Sequence, residues 1–347
     1  MEIRLLSPAD NSVVSILPDA QAKIMASMPT EPINEEDGFD WQNPTADNED
    51  NTCPKYTLFT WGLSGSLADV TEILFHIAEN PDFTDGKTYN ITAGQMFLSV
   101  TNLLRGRRYY WKMTALSGDK LLSESETFSF TTATDLPQWF NFSGATNVRD
   151  IGGWNTLSGK TVKEGMVYRG SQFVEYFKRE KADGLDILDG TLPFKTRIDL
   201  RNPDEIEREK EAIEVPAKNI NVAFLAAYNS VFSEEQKSRY GLIFKALANR
   251  ENYPVYIHCW AGADRTGTAI ALLKGMLGVS LDDVALDYEY TAMSVFGLRS
   301  RHQNHFRGFI DALKEYGDDF QSACTNYLLS CGVTEEEIES IKDILLI

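Results

Sequence analysis

Residues 255–268 read Val-Tyr-Ile-His-Cys-Trp-Ala-Gly-Ala-Asp-Arg-Thr-Gly-Thr, and this stretch decides how the C-terminal half of the chain is expected to fold. Its first residues, mostly apolar or aromatic, are typical of a buried strand. Apolar residues then recur at helical spacing through Leu277, which predicts a helix from Thr266. A strand, a short loop and a helix therefore follow one another. A cysteine, Cys259, ends the strand, and Arg265 stands six positions later.

The loop between the strand and the helix has the composition of an anion site. A short loop that closes onto a helix N-terminus turns successive N–H groups inward, and Gly262 permits the tight curvature. Arg265 offers a planar fork of donors to two phosphate oxygens. The positive helix end favours the thiolate of Cys259, which would attack phosphorus and form a cysteinyl-phosphate. The phosphate-binding residues are then expected to be Trp260, Ala261, Gly262, Ala263, Asp264 and Arg265.

The sequence around this loop alternates between strand-like and helical segments. Such alternation predicts an α/β domain with a central parallel sheet, helices on both faces and a ligand site beyond the carboxyl ends of the strands. The strand-like runs are at 166–168, 196–200, 220–224 and 255–258. The helical stretches are at 172–188, 204–213, 233–249, 266–277, 281–293, 305–315, 318–329 and 334–346.

The N-terminal half has a different pattern, with short runs of alternating polarity at 56–61, 73–77, 97–100, 109–113 and 126–130. Turn residues separate these runs, which predicts an antiparallel β-sandwich over residues 1–133. We expect a linker at 134–147 and a catalytic domain at 148–347. Trp61 on an early strand, and the leucine, turn and tyrosines of residues 103–111, resemble a fibronectin type III domain. That resemblance implies a spacer or a module that binds a protein partner.

The composition limits the classes of function. A chain of 347 residues is long enough for about two domains. Lys and Arg number 33 against 51 Asp and Glu, and the net charge of −18 argues against nucleic acid or an anionic membrane as partner. No apolar run has the length of a transmembrane segment, and the N-terminus lacks a signal-peptide pattern. The compartment stays open: secreted or periplasmic if an export signal was removed, otherwise cytoplasmic. Four cysteines are too few for a disulfide scaffold.

The segment His258 to Gly267 resembles the signature loop of the cysteine-dependent protein tyrosine phosphatases. Its form is similar to the atypical bacterial branch, which includes tyrosine and phosphoinositide phosphatases. Segments 147–153, 168–171 and 198–201 also fit that branch, so the resemblance covers about 140–347. It implies Cys259 as nucleophile, Arg265 as phosphate clamp, Thr266 as the hydroxyl that holds the thiolate, and His258 as an orienter of the loop. It implies hydrolysis without a metal or other cofactor.

Two departures from that branch affect the expected substrate and the general acid. The branch often has lysine before the aspartate, where this chain has Ala263, so phosphotyrosine is favoured over polyphosphoinositides. No aspartate lies between Glu205 and Ala263, where most of the superfamily has its acid. Asp264 is therefore the first candidate for general acid, and the alternative is that it only braces the loop. The fallback carboxyls are Asp199, Asp204, Glu234 and Glu235.

The remaining candidates each have a structural alternative. Arg149 and Asp150 would wall the pocket or form a turn, and Asp199 and Arg201 would contact substrate or form an ion pair. His302 and His305 are expected to form a surface pair and not a metal site. Residues 31–51 are acidic and favour a solvated loop over a calcium site.

The leading hypothesis is a phosphatase of phosphotyrosine-type monoesters. The alternatives are a phosphoinositide or lipid phosphatase with the same loop, and a protein that binds phosphate with little or no turnover. The expected partner is accordingly a phosphorylated protein or a phospholipid.

Overall fold

The structure is a computed structural model that describes residues 1–17, 22, 50–92, 94–174, 184–186, 192–208, 214–223, 227–295 and 299–347, with the backbone alone at 184–186. The described chain divides into two compact units. Unit 1 comprises Met1–Pro18, Pro54–Asp135 and Glu180–Thr191. Unit 2 comprises Asp19–Cys53, Leu136–Arg179 and Leu192–Ile347. Each unit therefore includes a segment that lies outside its main stretch of sequence.

The strands of unit 1 form two sheets. They are β1 (Glu2–Ser7), β2 (Ser12–Val14), β3 (Thr57–Ser64), β4 (Glu72–Ala78), β5 (Lys87–Ile91), β6 (Phe97–Thr101), β7 (Arg108–Ser117), β8 (Lys120–Glu124) and β9 (Phe128–Thr132). Unit 2 contributes β10 (Arg149–Asp150) and β11 (Val167–Gly170), and Gly184–Asp186 forms β12, which returns to unit 1. One sheet has the order β1-β3-β6-β12, and the other has β2-β9-β7-β4-β5 with β8 beside β7.

Unit 1 is mostly antiparallel, as the alternating polarity predicts; the pairs β2–β9 and β12–β6 are parallel. Inward-facing residues of both sheets form an aromatic core in which the Phe59 ring makes edge contacts with Phe75, Trp111 and Phe130 at 5.0–5.6 Å between centroids. The five predicted strand runs correspond to β3, β4, β6, β7 and β9. The fibronectin type III resemblance stays a prediction.

Unit 2 is an α/β domain, as predicted, and its sheet is parallel except for the edge strand β10. Its sheet has the order β10-β11-β15-β13-β14, with β13 at Thr196–Asp199, β14 at Lys218–Asn221 and β15 at Val255–His258. β10 runs antiparallel and the other neighbours are parallel. Among the described residues from 192 onward, the α-helices are α1 (Pro203–Arg208), α2 (Glu234–Ala248), α3 (Asp264–Leu277), α4 (Leu281–Glu289), α5 (Asn304–Leu313), α6 (Phe320–Ser330) and α7 (Glu335–Leu345).

The register of this sheet brings three loops to one edge. β15 lies between β11 and β13, and His258 is level with Gly170 on one side and with Asp199 on the other. Because the carboxyl ends of parallel strands share an edge, the segments after Gly170, Asp199 and His258 begin side by side. The cysteine-containing loop therefore starts at the middle of the sheet edge.

Some predicted elements differ from the structure. The predicted helix at 172–188 is wrong at its ends, because Val174 forms a bridge and residues 184–186 form β12; residues 175–183 and 187–188 lie outside the described residues. The helix predicted from 281 to 293 ends at Glu289 and continues as a 3-10 helix to Met293. The α3 helix begins two residues earlier than predicted, at Asp264. In the described part of the chain, no helix has both the length and the apolar character of a membrane span.

Candidate active site

The predicted nucleophile lies where a buried strand meets a helix. All four residues of β15 are buried, and Cys259, the next residue, is 3% exposed. Trp260 is 42% exposed, and its carbonyl accepts a bond of 3.1 Å from the N–H of Gln172. Five residues after Cys259 the chain enters α3, whose first N–H groups have no partner within the helix. The cysteine and the positive end of α3 are thus separated by one short turn of chain.

Gly262 allows this turn to pack against the neighbouring loop. Its φ is +67°, a backbone conformation that residues with a Cβ rarely adopt. A Cβ there would overlap the carbonyl of Gly170 and would lie 2.8 Å from the nitrogen of Ser171. Gly170, which lies opposite Gly262, also has no room for a Cβ, because that atom would overlap the hydroxyl of Tyr256. The two glycines therefore fix how closely the loops after β11 and β15 approach.

The carbonyls of the loop are held by buried donors. The Asn147 amide donates to the carbonyls of Ala261 and Gly262 at 3.3 and 3.4 Å, and Arg169 Nη2 donates to Gly262 at 2.8 Å. Asn147 and Arg169 are both buried. With its carbonyls bound in this way, the loop has little freedom to invert its peptide planes.

His258 holds the beginning of the loop. Its Nδ1 lies 3.1 Å from the carbonyl oxygen of Cys259, and because a carbonyl only accepts, Nδ1 carries the proton. Nε2 lies 3.8 Å from Oδ1 of Asp199. Burial lowers the pKa of His258 to about 4 despite that carboxylate, so the ring is neutral at pH 7. The orienting role of His258 stays a prediction.

The predicted phosphate clamp, Arg265, is held by an acidic residue that the sequence analysis did not select. Its Nη1 and Nη2 each donate to one oxygen of Glu205 at 2.7 Å, and Nη1 also lies 3.2 Å from the carbonyl of Leu200. Glu205 in turn accepts a bond of 2.9 Å from the N–H of Asn202 at the start of α1. The bonds from Arg265 lower the pKa of Glu205. The bidentate pair fixes the plane of the guanidinium.

Asp264 has three donors on its carboxylate. Arg299 Nε donates to Oδ1 at 2.8 Å and Nη2 donates to Oδ2 at 3.0 Å, and the Tyr228 hydroxyl donates to Oδ1 at 2.5 Å. The Tyr288 hydroxyl lies 2.8 Å from that of Tyr228. Since Tyr228 gives its only proton to Asp264, Tyr288 must donate to Tyr228. The Asp264 side chain remains 41% exposed.

Tyr228 adopts an unusual backbone conformation beside this carboxylate. Its φ is +55°, which is an outlier for a bulky residue. Its N–H donates to Oγ1 of Thr268 at 3.2 Å, and its ring stacks on His305 at 5.6 Å. Burial raises the pKa of Tyr228, so the hydroxyl keeps its proton. These contacts direct the hydroxyl at Asp264 in spite of the strained backbone.

The predicted bond from Thr266 to the sulfur is not formed in the structure. Thr266 is fully buried, and its Oγ1 has no hydrogen-bond partner among the described residues. The reason is local: the hydroxyl lies on the buried face of the first helical turn, where Thr268, and not Thr266, bonds the carbonyl of Asp264 at 2.8 Å. A buried hydroxyl donor without an acceptor is costly, and an ionised sulfur is a suitable acceptor for it.

A buried cluster of charged residues lies next to the 259–265 loop and is hydrogen-bonded to it through Arg169. Asp287 of α4 binds Arg149 Nε at 2.9 Å and Arg169 Nη1 at 2.8 Å, and Lys274 Nζ lies 3.5 Å away. Burial opposes the ionised form of Asp287, but the cations outweigh it and hold its pKa far below the usual range. Burial lowers the pKa of Lys274 to about 8. Arg169 connects this cluster to the carbonyl of Gly262.

The four predicted wall residues have structural contacts. Asp150 accepts bonds from the N–H groups of Gly152 and Gly165 at 2.8 and 2.5 Å, and Arg149 belongs to the Asp287 cluster. Arg201 pairs with Asp199 at 2.6 Å and reaches Gln172 at 2.9 Å. The structure therefore describes Asp150 as part of a turn, and Asp199 and Arg201 as an ion pair.

The other predicted features lie apart from the loop or outside the described residues. No group of three His, Cys, Asp or Glu side chains in the described ranges could hold a metal ion. Cys324 and Cys331 are buried and free. Of the acidic segment 31–51 only residues 50 and 51 are described, and the Asp50 carboxylate binds Thr52 and Thr146.

Sequence reasoning missed Glu205, Tyr228, Arg299 and the Asp287 cluster. Glu205 lies 60 positions from its partner Arg265, and Arg299 lies 35 positions from Asp264. A signal was available for Glu205, which follows a strand that ends at the same sheet edge. For Arg299 the sequence offers none, because it belongs to no motif.

The comparisons with known proteins concern both units. A protein of Cupriavidus necator named as a tyrosine-protein phosphatase is 25% identical over 178 residues, which are 42% of this chain and 60% of that protein. The chain therefore spans about 60% of the length of that relative. The core catalytic domain of the PP-IP phosphatase SIW14 from S. cerevisiae is 19% identical, with a TM-score of 0.27, covering 47% of this chain and 89% of that one.

A redesigned β-sandwich protein is 22% identical, with a TM-score of 0.21, and covers 24% of this chain and 80% of that one. The model of the tyrosine phosphatase family matches residues 140–347, which is more than half of the chain and includes the whole loop from His258 to Gly267. The chain belongs to the tyrosine phosphatase family.

Proposed function

We propose that this chain hydrolyses phosphomonoesters of the phosphotyrosine type through a cysteinyl-phosphate on Cys259. The observation that carries the proposal is the position of Cys259, which directly follows a buried parallel strand and precedes the N-terminus of α3 by five residues, together with the two bonds that Arg265 donates to Glu205 and that orient its guanidinium. A sulfur nucleophile, a helix N-terminus and a guanidinium held in one plane are groups suited to phosphoryl transfer through a covalent intermediate.

In the first step, the sulfur of Cys259 attacks phosphorus and the bond from phosphorus to the ester oxygen breaks. The leaving oxygen takes the electron pair of that bond and a proton from Asp264, the proposed general acid. The N–H groups of residues 260–265 and the guanidinium of Arg265 stabilise the equatorial oxygens. Asp264 then takes a proton from water, which attacks phosphorus and releases phosphate and the thiolate.

Phosphotyrosine is the proposed substrate class for two reasons. Ala263 stands where the related loops often have lysine, so the loop itself carries Arg265 as its single cationic residue. A polyphosphoinositide would present several phosphates to one guanidinium. The exposed indole of Trp260, next to the cysteine, is a suitable surface for an aromatic leaving group.

Hydrolysis of phosphotyrosine peptides in the presence of a chelator tests the proposal. We expect turnover that Cys259→Ser lowers by about 10³-fold or more. Cys53→Ser, a half-buried cysteine outside the loop, is the matched control and is expected to retain full activity. Activity that survives Cys259→Ser would contradict the mechanism. Phosphoinositides, assayed under equal conditions, test the substrate class, and a preference for them would favour the lipid alternative.

One observation favours a second candidate, a phosphate-binding protein with little turnover. The carboxyl of Asp264, the proposed general acid, accepts three hydrogen bonds from Arg299 and Tyr228, which hold it in place as a brace of the loop would be held. Thermal stabilisation by inorganic phosphate, without hydrolysis of any ester, would support this candidate, whereas robust turnover would exclude it.

A further inference from the structure

The carbonyl oxygens of residues 259–262 all accept hydrogen bonds from groups outside the 259–265 loop. The shortest of these bonds is the one that Nη2 of Arg169 donates to the carbonyl of Gly262, at 2.8 Å. The amide of Asn147 reaches the same carbonyl at 3.4 Å. A bond from a guanidinium is roughly twice as strong as one from a neutral donor, so Arg169 is the principal donor to this carbonyl.

The orientation of these carbonyls determines where the N–H groups of the loop point. The cis peptide bonds of the described residues all precede proline, so the peptides of the loop are trans. In a trans peptide the C=O group and the following N–H group point in opposite directions, and the N–H of Ala263 therefore points away from Arg169. Among the described residues, the N–H groups of residues 261–264 have no hydrogen-bond acceptor. Four successive donors are thus available to an anion.

Arg169 binds this peptide from a fixed position. Its Nη1 donates to Oδ2 of Asp287 at 2.8 Å while Nη2 donates to the loop, and the two acceptors together define the plane of the guanidinium. The residue is 1% exposed, and Nη2 packs against α3 at Gly267, where a Cβ would lie 3.4 Å from it. Gly262 itself does not fix the peptide that follows it, because glycine adopts many backbone conformations. The peptide between Gly262 and Ala263 is therefore oriented by its hydrogen bonds.

We propose that Arg169 is a positioning residue for phosphoryl transfer, which acts through the peptide between Gly262 and Ala263 and directs the N–H of Ala263 at the oxygens of the phosphoryl group. The inference rests on the proposed function and adds to it a residue outside the loop. The bond from the guanidinium also polarises the peptide and makes its N–H a stronger donor. Because the guanidinium is buried and bound on both sides, Arg169 acts through the loop and not by contact with the substrate.

Another cation of the same cluster separates this role from a purely structural one. Without Arg169, two cations would remain beside Asp287: Nε of Arg149 at 2.9 Å and Nζ of Lys274 at 3.5 Å. Nζ of Lys274 also lies 4.4 Å from the centroid of the Trp154 ring. Within the described residues, Lys274 has no hydrogen bond to the loop. Lys274 therefore shares with Arg169 the burial and the carboxylate, but it lacks the bond to Gly262.

Alkylation of Cys259 in the full-length protein tests the inference without relying on turnover. Iodoacetate carries a carboxylate for the N–H groups of the loop to bind, whereas iodoacetamide is neutral and reacts with the same sulfur. The ratio of the two rates, followed by mass spectrometry of the peptide that contains Cys259, therefore measures anion binding by the loop. In Arg169→Met we expect this ratio to fall about tenfold, which is the effect of about one lost hydrogen bond. We expect kcat for phenyl phosphate to fall by about 10²-fold, as it does when an oxyanion donor is lost.

Lys274→Met is the matched control, because it removes a cation from Asp287 but no bond to the loop. We expect it to keep the alkylation ratio of the unmodified protein, even though urea unfolding shows a loss of stability comparable to that of Arg169→Met. Arg169→Lys keeps the charge without the planar fork that bridges two acceptors, so its ratio should lie between those of the unmodified protein and Arg169→Met.

Two results would overturn the inference. One is an equal alkylation ratio in Arg169→Met and Lys274→Met. The other, which decides the matter if Arg169→Met does not fold, is a ratio in Arg169→Lys equal to that of the unmodified protein. Failure of the unmodified protein to hydrolyse any phosphomonoester would instead overturn the proposed function, and the alkylation ratio would still report on Arg169.

Discussion

At the scale of single residues, the site depends on groups whose charge is set by burial. His258 is fully buried, donates from Nδ1 to the Cys259 carbonyl and stays neutral at pH 7 because burial lowers its pKa to about 4. An imidazolium at this position would carry a positive charge into the interior beside the sheet edge. The neutral ring therefore orients the loop without adding charge to it.

We predict that His258 makes the stability of unit 2 depend on pH. The unfolded chain binds the proton near pH 6.5 and the folded chain near pH 4, so acid favours unfolding. The stabilisation is complete above pH 6.5 and is lost as the pH falls toward 4. Between pH 7 and pH 5 the unfolding free energy should fall by about 2 kcal/mol more in the native protein than in His258→Gln. Urea unfolding at the two pH values measures this, and equal losses in both proteins would contradict it.

Sequence reasoning located the candidate residues that lie within one short segment and missed their distant partners. The loop from Cys259 to Arg265 was predictable because a strand, a glycine turn and a helix start impose their geometry locally. Glu205 and Arg299 were not, because an ion pair between distant segments leaves no periodic trace in a single sequence. Thr266 is a similar case. The helical periodicity places it on the buried face of α3, but it does not determine which group its hydroxyl bonds.

At the scale of secondary-structure elements, α4 contributes the carboxylate that compensates the cations below the loop. Asp287 is shared by Arg149, Arg169 and Lys274, which come from β10, β11 and α3. The helix α3 begins at the end of the loop at 259–265, and Arg169 bonds the carbonyl of Gly262, so the Asp287 carboxylate connects elements that support this loop. The helices were predictable from their periodicity. The ion pairs of Asp287 were not, because its partners Arg169 and Arg149 lie 118 and 138 positions away in sequence.

We predict that Asp287→Asn is strongly destabilising. The substitution leaves buried cations without their counter-ion, which typically costs about 3–5 kcal/mol. Asp282→Asn, an exposed residue on the same helix that lies 3.4 Å from Arg301, is the matched control and should cost less than about 1 kcal/mol. Urea denaturation of the two variants measures the difference. Similar losses in both would show that the cluster does not contribute in this way.

At the scale of the whole molecule, unit 2 depends on a segment, Asp19–Cys53, that lies in sequence between two parts of unit 1. The Thr52 hydroxyl accepts a bond of 3.0 Å from the N–H of Asn147 and lies 3.1 Å from the hydroxyl of Thr146. Asn147 is the residue whose amide donates to the carbonyls of Ala261 and Gly262. A segment 95 positions upstream thereby supports the site.

We predict that Thr52→Val weakens both the stability of unit 2 and its catalysis. The substitution keeps the shape of the side chain but leaves the buried N–H of Asn147 without its acceptor, at a cost of about 1–3 kcal/mol. Calorimetry and the rate of phosphotyrosine hydrolysis measure the two effects. Thr134→Val, an exposed threonine of unit 1, is the control expected to change neither. A Thr52→Val protein indistinguishable from the control would argue against this support.

The strand β12 has a consequence for how such a protein could arise or be rebuilt. Its three residues belong to the sandwich and pair with β6, although the chain on either side, at Val174 and again at Leu192, belongs to unit 2. Recombination that exchanged either unit as one continuous block would leave the first sheet a strand short and uncover the backbone edge of β6. The two halves are therefore expected to have been inherited, and will have to be transplanted, as a single piece.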